Sequence, residues 1–347
     1  MIVTFTKRIG NKIWSGWLYA WNAFDNLVYW YVIGEKRKPA SAGNETRVQG
    51  FQGSTRPAGS TALRNAGTRA PAATPSTQLG LDFTPVTQHL QALSQKTSCR
   101  NGGASEIRLV MEVAATVPKD LQYPESNEDA YAWDESGQRA AVFDGATESF
   151  AAERWVASTR THWLSGHPQW LQRAREEYDR DIKELNLSWA QLEAAERGSY
   201  TTLVSIESIP LGLRVTTIGD SCIFLLEDTE IIACDPYVSQ GEFFASPQAL
   251  STRSQDNHAV TGEGVDITGD KYLISPDVLA GKQLLLATDA LSQWLMVPKP
   301  QGRLTRLLAA LKKGDLKTLV TQERATGELK TDDTTALLLT VTSGVRS

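Results

Sequence analysis

Residues 127–145, NEDAYAWDESGQRAAVFDG, contain two short apolar segments that lie between acidic residues. The segments 131–133 and 139–143 have the composition of β-strands, and DESG at 134–137 is typical of the turn that joins such strands. A carboxylate at the end of a strand is held by the sheet but points out of it. The stretch therefore predicts a hairpin that carries carboxylates at its edge.

Two more acidic clusters follow later in the chain, Thr288-Asp289 and Asp332-Asp333. Strand-like segments adjoin both of them, at 284–287 and 335–341. Carboxylates that a fold brings together form an oxygen-rich site of the kind that binds Mg²⁺ or Mn²⁺. The first hypothesis from the sequence is therefore a metal-dependent hydrolase.

The charge of the chain is distributed unevenly along its 347 residues. The net charge is −5, but residues 1–105 contain 12 Lys and Arg against 4 Asp and Glu, so the remaining residues carry an excess of acid. A basic tail of this kind is usually solvated, and its alternative partners by charge are anionic lipid, nucleic acid and the acidic body itself. We expect no nucleic-acid partner, and the sequence does not specify an oligomeric state.

The cysteines and histidines argue against a soft-metal site or a disulfide scaffold. The chain has three cysteines without a CxxC pair and four histidines without an HExxH pattern. These spacings are not those of zinc-thiolate or zinc-protease sites. Oxygen ligands are therefore the candidates for metal binding.

Residues 1–38 form an aromatic-rich N-terminal segment with basic flanks. Its central part, 13–33, has apolar residues at helical spacing, but Asn22, Asp25 and Asn26 interrupt it. Three interpretations remain open: a helix that packs on a partner, a helix on the membrane surface with contact through residues 13–38, and a membrane span. We predict a cytoplasmic protein, and the alternative is a cytoplasmic protein that associates with the membrane through this segment.

Residues 39–105 have the composition of a linker. They are rich in Pro, Ala, Gly, Ser, Thr, Asn and Gln, so they cannot bury enough apolar surface to offset the entropy lost on ordering. We predict a disordered linker here, with a short helix after Pro85 as the exception. The folded domain is predicted to comprise residues 106–347.

The domain alternates between groups of strands and groups of helices. Strand-like segments occur before and after a long helical pair, predicted at 147–165 and 168–196. Shorter helices are predicted at 290–296, 302–313 and 315–325. Grouped strands and helices indicate the α+β class, because a parallel α/β sheet would need strands and helices in strict alternation.

Five motifs in a fixed order resemble those of the metal-dependent protein phosphatase 2C (PPM-type) family, as in a divergent bacterial-type member. Each motif alone is a common turn sequence, but the order and the adjoining strands are much more specific. The resemblance covers residues 106–343, and its motifs are Asn127-Glu128-Asp129-Ala130, Val142-Phe143-Asp144-Gly145, Ile218-Gly219-Asp220-Ser221, Leu286-Ala287-Thr288-Asp289 and Asp332-Asp333-Thr334-Thr335.

The resemblance implies a four-layer α-β-β-α sandwich of two mostly antiparallel sheets flanked by helices. It implies a site in which Asp144 bridges two Mn²⁺ or Mg²⁺ ions and the carbonyl of Gly145 helps to hold one of them. The remaining implied roles are Asp289 and Asp332 as ligands of the first ion, Glu128 as a ligand of the second, Asp129 bonded to metal-bound water, and Asp220 near an additional, weaker ion.

The family chemistry is hydrolysis of phosphoserine and phosphothreonine in proteins. Two divalent ions activate a water molecule that attacks phosphorus directly, so no covalent enzyme intermediate is needed. The implied catalytic residues are Asp144 and Asp129, and the implied partner is a phosphorylated protein substrate that takes part in signalling.

The chain departs from the family pattern at several positions. Pro124 replaces the arginine that binds substrate phosphate in many members, and no other arginine is assigned to that role, so the phosphate-binding residue is unknown. Ala146, Ala290 and Gln293 also differ from the usual residues. These changes leave a second hypothesis open, in which the domain is a catalytically weak or inactive phosphatase-like binding or regulatory module.

A polar loop at 235–270 separates two strand-like regions of the domain. In phosphatase 2C folds the corresponding region often forms a flap beside the cleft. We predict that this loop borders the site and selects or gates the substrate.

Overall fold

A computed structural model describes residues 2–9, 12–19, 31–34, 88–96, 106–257, 270–297 and 301–344. The chain divides into two compact units, Met1–Ser76 and Thr77–Ser347. The helices in these described ranges are all too short or too polar to cross a membrane.

The first unit contains an antiparallel sheet in the order β1-β2-β3, formed by β1 (Ile2–Ile9), β2 (Lys12–Tyr19) and β3 (Tyr31–Gly34). The helix predicted over 13–33 is therefore wrong for residues 13–19 and 31–33, which form strands. Aromatic and β-branched residues favour strands, and β1 supplies a partner that the helical interpretation did not consider. Residues 20–30 and 35–38 lie outside the described residues, and membrane contact through 13–38 stays a prediction.

The described part of the second unit contains twelve strands. Their bounds are β4 (Gln88–His89), β5 (Glu106–Val117), β6 (Asp129–Trp133), β7 (Arg139–Gly145), β8 (Tyr200–Ile209), β9 (Gly212–Ile218), β10 (Cys222–Glu227), β11 (Glu230–Asp235), β12 (Leu250–Ser251), β13 (Asp270–Ile274), β14 (Gln283–Ala287) and β15 (Thr334–Gly344).

These strands form two sheets. The order is β4-β11-β10-β14-β15-β5 in the first and β13-β9-β8-β7-β6 in the second, where β12 also pairs with β8. Neighbouring strands are antiparallel except for β4 and β11, which are parallel. The two sheets face each other across a core to which both contribute alternate residues, including Leu109, Val204, Ile206, Leu225, Leu286 and Leu337.

Five of the described helices cover the outer faces of the two sheets, whereas the short helices at 90–96 and 276–279 pack against the core between the sheets. The bounds of the described α-helices are α1 (Leu90–Lys96), α2 (Ala152–Leu164), α3 (Trp170–Lys183), α4 (Trp189–Glu196), α5 (Pro276–Leu279), α6 (Asp289–Leu295), α7 (Gln301–Lys313) and α8 (Leu316–Ala325). Trp155 and Trp163 of α2 pack on Phe143 of the second sheet, and Trp294 of α6 packs in a cluster with Phe224 and Leu338 of the first. The predicted four-layer α-β-β-α sandwich is confirmed.

The second predicted long helix is divided into α3 and α4. Residues 184–188 interrupt it, and Ser188 begins α4 with a capping box in which its side chain pairs with Gln191. A serine that accepts a backbone N–H at a helix start favours a new helix over continuation of the old one. The sequence periodicity continues across this break, which is why the break was not predicted.

Residues 88–96 belong to the folded unit. Leu90 of α1 is completely buried, His89 Nδ1 lies 2.7 Å from Asp235 Oδ1, and the backbone N–H of Gln91 donates to Asp235 Oδ2 at 2.7 Å. The predicted linker 39–105 is corrected for this segment, while the short helix predicted there is found. Its amphipathic residues bury one face on the sheet, which composition alone does not reveal. The rest of 39–105 lies outside the described residues.

Candidate metal centre

Asp129 and Asp144 lie directly opposite each other on adjacent strands, where β6 begins and β7 ends. Directly opposed residues of an antiparallel pair point to the same face of the sheet. Asp129 is buried, and its Oδ1 atom has no hydrogen-bond partner in the structure. Two carboxylates are thus held close together at one edge of the second sheet.

The segment between β14 and α6 connects the first sheet to this pair. Thr288 Oγ1 donates to Asp129 Oδ2 at 2.8 Å and accepts the backbone N–H of Thr335 at 2.9 Å. The backbone N–H of Asp289 donates to Asp144 Oδ2 at 3.3 Å. The Thr288-Asp289 motif therefore joins the edges of both sheets and places the Asp289 side chain beside Asp144.

Asp333 is buried and braces the loops around the site. Its Oδ1 atom accepts the backbone N–H of Lys119 at 2.6 Å, and its Oδ2 atom accepts the backbone N–H of Glu128 at 2.8 Å. Both carboxylate oxygens are thus used inside the protein. Asp333 orients the predicted ligand Glu128, whereas the neighbouring Asp332 lines the cleft.

Gly145 allows the backbone to approach Glu128 closely. Its N–H donates to the Glu128 carbonyl at 2.9 Å, and a Cβ atom added to Gly145 would lie 2.7 Å from that oxygen. Any larger residue would displace the backbone of Glu128, just before β6. The Asp-Gly pair thus has a steric basis in addition to its implied role in metal binding.

Asp220 enters the site from the turn after β9. The preceding residue, Gly219, has φ +95°, and a Cβ atom there would lie 2.6 Å from Thr202. The turn therefore requires glycine. It directs the largely buried Asp220 into the cleft, so the motif is more than a hairpin connection.

Part of this set of residues lines one open cleft with a volume of about 590 Å³, whereas Glu128, Asp129 and Asp333 are not in its lining. Part of the loop at 235–270 borders it through residues 246–249 and Asp256, as the sequence predicted, and gating by this loop stays a prediction. The predicted site residues that line the cleft are Asp144, Gly145, Asp220, Asp289 and Asp332.

Lys330 is the one cation among the described residues that line the cleft. Its Nζ atom lies 2.8 Å from Asp289 Oδ2 and 2.7 Å from Asp332 Oδ2. At the other side of the site, Lys119 Nζ lies 2.5 Å from Glu128 Oε2. Sequence patterns did not single out either lysine, although Lys330 stands only two residues before Asp332.

Burial and mutual repulsion disfavour the ionised form of the clustered carboxyl groups. The pKa of Asp144 is raised well above its usual range, first by burial and then by the charges of Asp129, Asp289 and Asp220. The pKa values of Asp129 and Asp289 are also raised, mainly by burial. Carboxyl groups in this condition are stabilised as carboxylates when a cation joins them.

The residues fit a hard divalent cation by their chemistry. All candidate ligands are oxygen atoms, and Asp129 Oδ1 is a buried acceptor without a partner. Within the described ranges, however, no three acidic, histidine or cysteine side chains already stand in an arrangement that would hold a metal ion. Lys330 instead lies between Asp289 and Asp332, two of the three proposed ligands of the first ion.

No arginine replaces the phosphate-binding residue missing at Pro124, as far as the described lining of the cleft extends. Arg324 lies near the acidic loops, but it donates to the carbonyl oxygens of Pro118 and Asp332 and to Thr334 Oγ1. It therefore braces the loop that carries Asp332.

The environment of Asp220 predicts that the free energy of unfolding depends on pH when no metal ion is bound. Burial, and then the charge of Asp289, raises the pKa of Asp220 to about 7. A carboxyl with a raised pKa stabilises the fold while protonated, and this contribution is lost as the pH rises through the folded pKa.

We expect Asp220→Asn to remove the loss of stability that accompanies ionisation of Asp220. In EDTA, the free energy of unfolding of the parent should fall between pH 5 and pH 8 by roughly 1–3 kcal/mol more than that of the variant. Chemical denaturation at both pH values measures the difference. Parallel pH dependence in the two proteins would contradict the prediction.

Comparison with known proteins gives structural matches only. No family model matches the chain, and no curated protein matches it. Solved structures of phosphatases are similar to it over about two thirds of its length. One is a bacterial serine phosphatase, with 16% identity and a TM-score of 0.43, which covers 68% of this chain and 100% of that one.

Two further structures have similar values. The catalytic domain of the serine/threonine phosphatase PstP, in complex with two manganese ions, is 17% identical with a TM-score of 0.38 and covers 68% of this chain and 99% of that one. The PP2C phosphatase domain of SpoIIE from Bacillus subtilis, with a fragment of its regulatory domain, is 14% identical with a TM-score of 0.41. This match covers 70% of this chain and 65% of that one. These likenesses carry no conclusion about the activity of this chain.

Proposed function

We propose that this protein is a Mn²⁺- or Mg²⁺-dependent phosphatase that hydrolyses phosphoserine or phosphothreonine in proteins. The observation that supports the proposal is the meeting of Asp144, Asp289, Asp332 and Asp220 in one cleft, with Asp129 buried beside Asp144. A cluster of buried carboxylates is costly without a cation, so its presence at an open cleft favours a metal-binding role.

The proposed ligand roles are those that the resemblance to the phosphatase 2C motifs implies. Asp144 would hold both ions, the carbonyl of Gly145 would help to hold one of them, and Asp289 and Asp332 would complete the first site. Glu128 would reach the second ion, directly or through water, and Asp220 would serve an additional, weaker one. Bound divalent ions supply Lewis-acid stabilisation of the phosphoryl group and activate a water nucleophile.

The protein itself keeps these groups in place. Asp333 holds the backbone of Glu128, and Thr288 holds the carboxylate of Asp129. Asp129 would bond to metal-bound water, and its buried Oδ1 atom, which has no other hydrogen-bond partner, is the acceptor available for that bond. These contacts hold the backbone of Glu128 and the carboxylate of Asp129 before substrate binds, and such positioning favours direct attack by water.

The openness of the cleft supports a protein substrate. The cleft has a volume of about 590 Å³, and its border includes Thr147, Glu148 and the polar segment 246–249. Thr147 and Glu148 are exposed, so the cleft is accessible from solvent on this side. A phosphorylated protein is therefore the proposed partner.

The alternative function is a phosphatase-like binding or regulatory module. The contact of Lys330 with both Asp289 and Asp332 favours it, because an internal cation already neutralises part of the proposed metal site. The absence of the arginine at Pro124 points in the same direction. Metal binding in a calorimeter without turnover of any phosphoester would support this alternative.

Metal removal and restoration test the proposed activity. We expect the full-length protein to release inorganic phosphate from phosphoserine and phosphothreonine peptides in Mn²⁺, and to lose at least about a hundredfold of this rate in EDTA. Readdition of Mn²⁺ should restore the rate. Equal rates with and without chelator, or no turnover at saturating Mn²⁺ and Mg²⁺, would contradict the proposal.

A further inference from the structure

The ammonium group of Lys330 lies between two carboxylates that the proposed function gives to the same metal ion. The distances from Nζ are 2.8 Å to Asp289 Oδ2 and 2.7 Å to Asp332 Oδ2, both within the range of charge-assisted hydrogen bonds. The side chain is only about half exposed, and it is part of the cleft lining. The contact is thus a feature of the site and not of the outer surface.

A metal ion shared by these two carboxylates would compete with the ammonium group for the space and the negative charge between them. A Mg²⁺ ion needs carboxylate oxygens at about 2.1 Å, so an ion shared by Asp289 and Asp332 would occupy the space between them. Lys330 Nζ stands in that space. Binding of the ion therefore requires that Lys330 leave both carboxylates.

The electrostatics of the site explain why a cation rests there. The Nζ atom contacts one oxygen of Asp289 and one of Asp332, so two opposite charges compensate for its partial burial. The ammonium group thus remains charged, and it offsets the repulsion between carboxylates that burial has already destabilised. The metal-free cleft is stabilised by its own lysine.

We infer that Lys330 is an internal competitor of the first metal ion and sets the metal concentration at which the site fills. The inference rests on the proposed function for the identity of the ligands. It concerns metal affinity alone, so it can be decided without any measurement of turnover.

The test is calorimetric titration of Mn²⁺ into full-length parent, Lys330→Met and Lys330→Arg proteins at one pH. Methionine keeps the length of the side chain without its charge, and arginine keeps the charge. Because two partly exposed ion pairs are lost, we expect Lys330→Met to bind the first Mn²⁺ at least about fivefold more tightly. Lys330→Arg should bind like the parent.

Lys282→Met is the matched control, because this lysine pairs with Glu227 at 3.4 Å and does not line the cleft. Its Mn²⁺ affinity should equal that of the parent. Lys330→Gln provides a second neutral variant if Lys330→Met unfolds without metal. An unchanged or weaker Mn²⁺ affinity in the neutral variants, or no Mn²⁺ binding by any of the proteins, would overturn the inference.

The two proposals fail in different ways. If Lys330→Met gains affinity for Mn²⁺ but neither protein hydrolyses a phosphopeptide, Lys330 is confirmed as a competitor and the phosphatase activity is excluded. If Mn²⁺-dependent hydrolysis is found but the affinity does not change, the phosphatase stands and the role of Lys330 is wrong.

Discussion

Asp144→Asn should reduce Mn²⁺-dependent phosphopeptide hydrolysis by at least about a hundredfold, because it removes the proposed ligand shared by both ions. Asparagine keeps the size of the side chain and one oxygen that can accept the N–H of Asp289. The change therefore removes charge while it preserves the local geometry. Initial rates at saturating Mn²⁺ measure the effect.

The same variant should be at least as stable as the parent in EDTA. The raised pKa of Asp144 shows that its ionised form is disfavoured in the metal-free fold, and asparagine removes that penalty. A loss of activity with no loss of stability separates a catalytic role from a structural one. Asp277→Asn, at an exposed position on α5, is the matched control and should keep full activity. An Asp144→Asn protein as active as the parent would contradict the account.

Asp333→Ala should have the largest effect on stability of the changes considered. It removes the acceptor of two backbone N–H groups, those of Lys119 and Glu128. Each unsatisfied donor costs about 1–3 kcal/mol, so we expect a loss of roughly 2–5 kcal/mol in the free energy of unfolding. Urea denaturation of the metal-free proteins measures this loss.

Asp333→Asn distinguishes hydrogen bonding from the mere presence of a polar side chain. The amide keeps one of the two acceptor oxygens. The loss in the free energy of unfolding should therefore be about half as large in Asp333→Asn as in Asp333→Ala. Glu128 should also be less well oriented in the alanine variant, with weaker binding of the second Mn²⁺. Stability within about 0.5 kcal/mol of the parent in the alanine variant would show that Asp333 is not a brace.

Local patterns in the sequence predict most of the domain correctly. The strand-like composition of β7, β8 and β15 and the helical spacing in α2 and α7 predicted these elements, and every one of them forms. Because both faces of each sheet are covered, these strands are nearly continuously buried. The acidic motifs were predictable for the same reason, since each adjoins one of these strands. Antiparallel pairing then brings Asp129 opposite Asp144.

The features that were not predicted depend on tertiary contacts. Lys330 is an ordinary loop lysine until the fold brings Asp289, 41 residues earlier in the chain, within reach of its ammonium group. Asp333 likewise becomes a brace only when Lys119 and Glu128 lie beside it. The strand β2 could not be predicted from its own residues, because its aromatic residues are compatible with more than one conformation. Its pairing with β1 decides for the strand.

A crystal structure with Mn²⁺, located by anomalous scattering, tests the central claim most directly. The account predicts a Mn²⁺ ion bound by Asp144, Asp289 and Asp332, with Lys330 moved away from the two carboxylates that it contacts in the metal-free structure. Absence of a Mn²⁺ peak in the cleft at saturating Mn²⁺, with Lys330 still between Asp289 and Asp332, would contradict it.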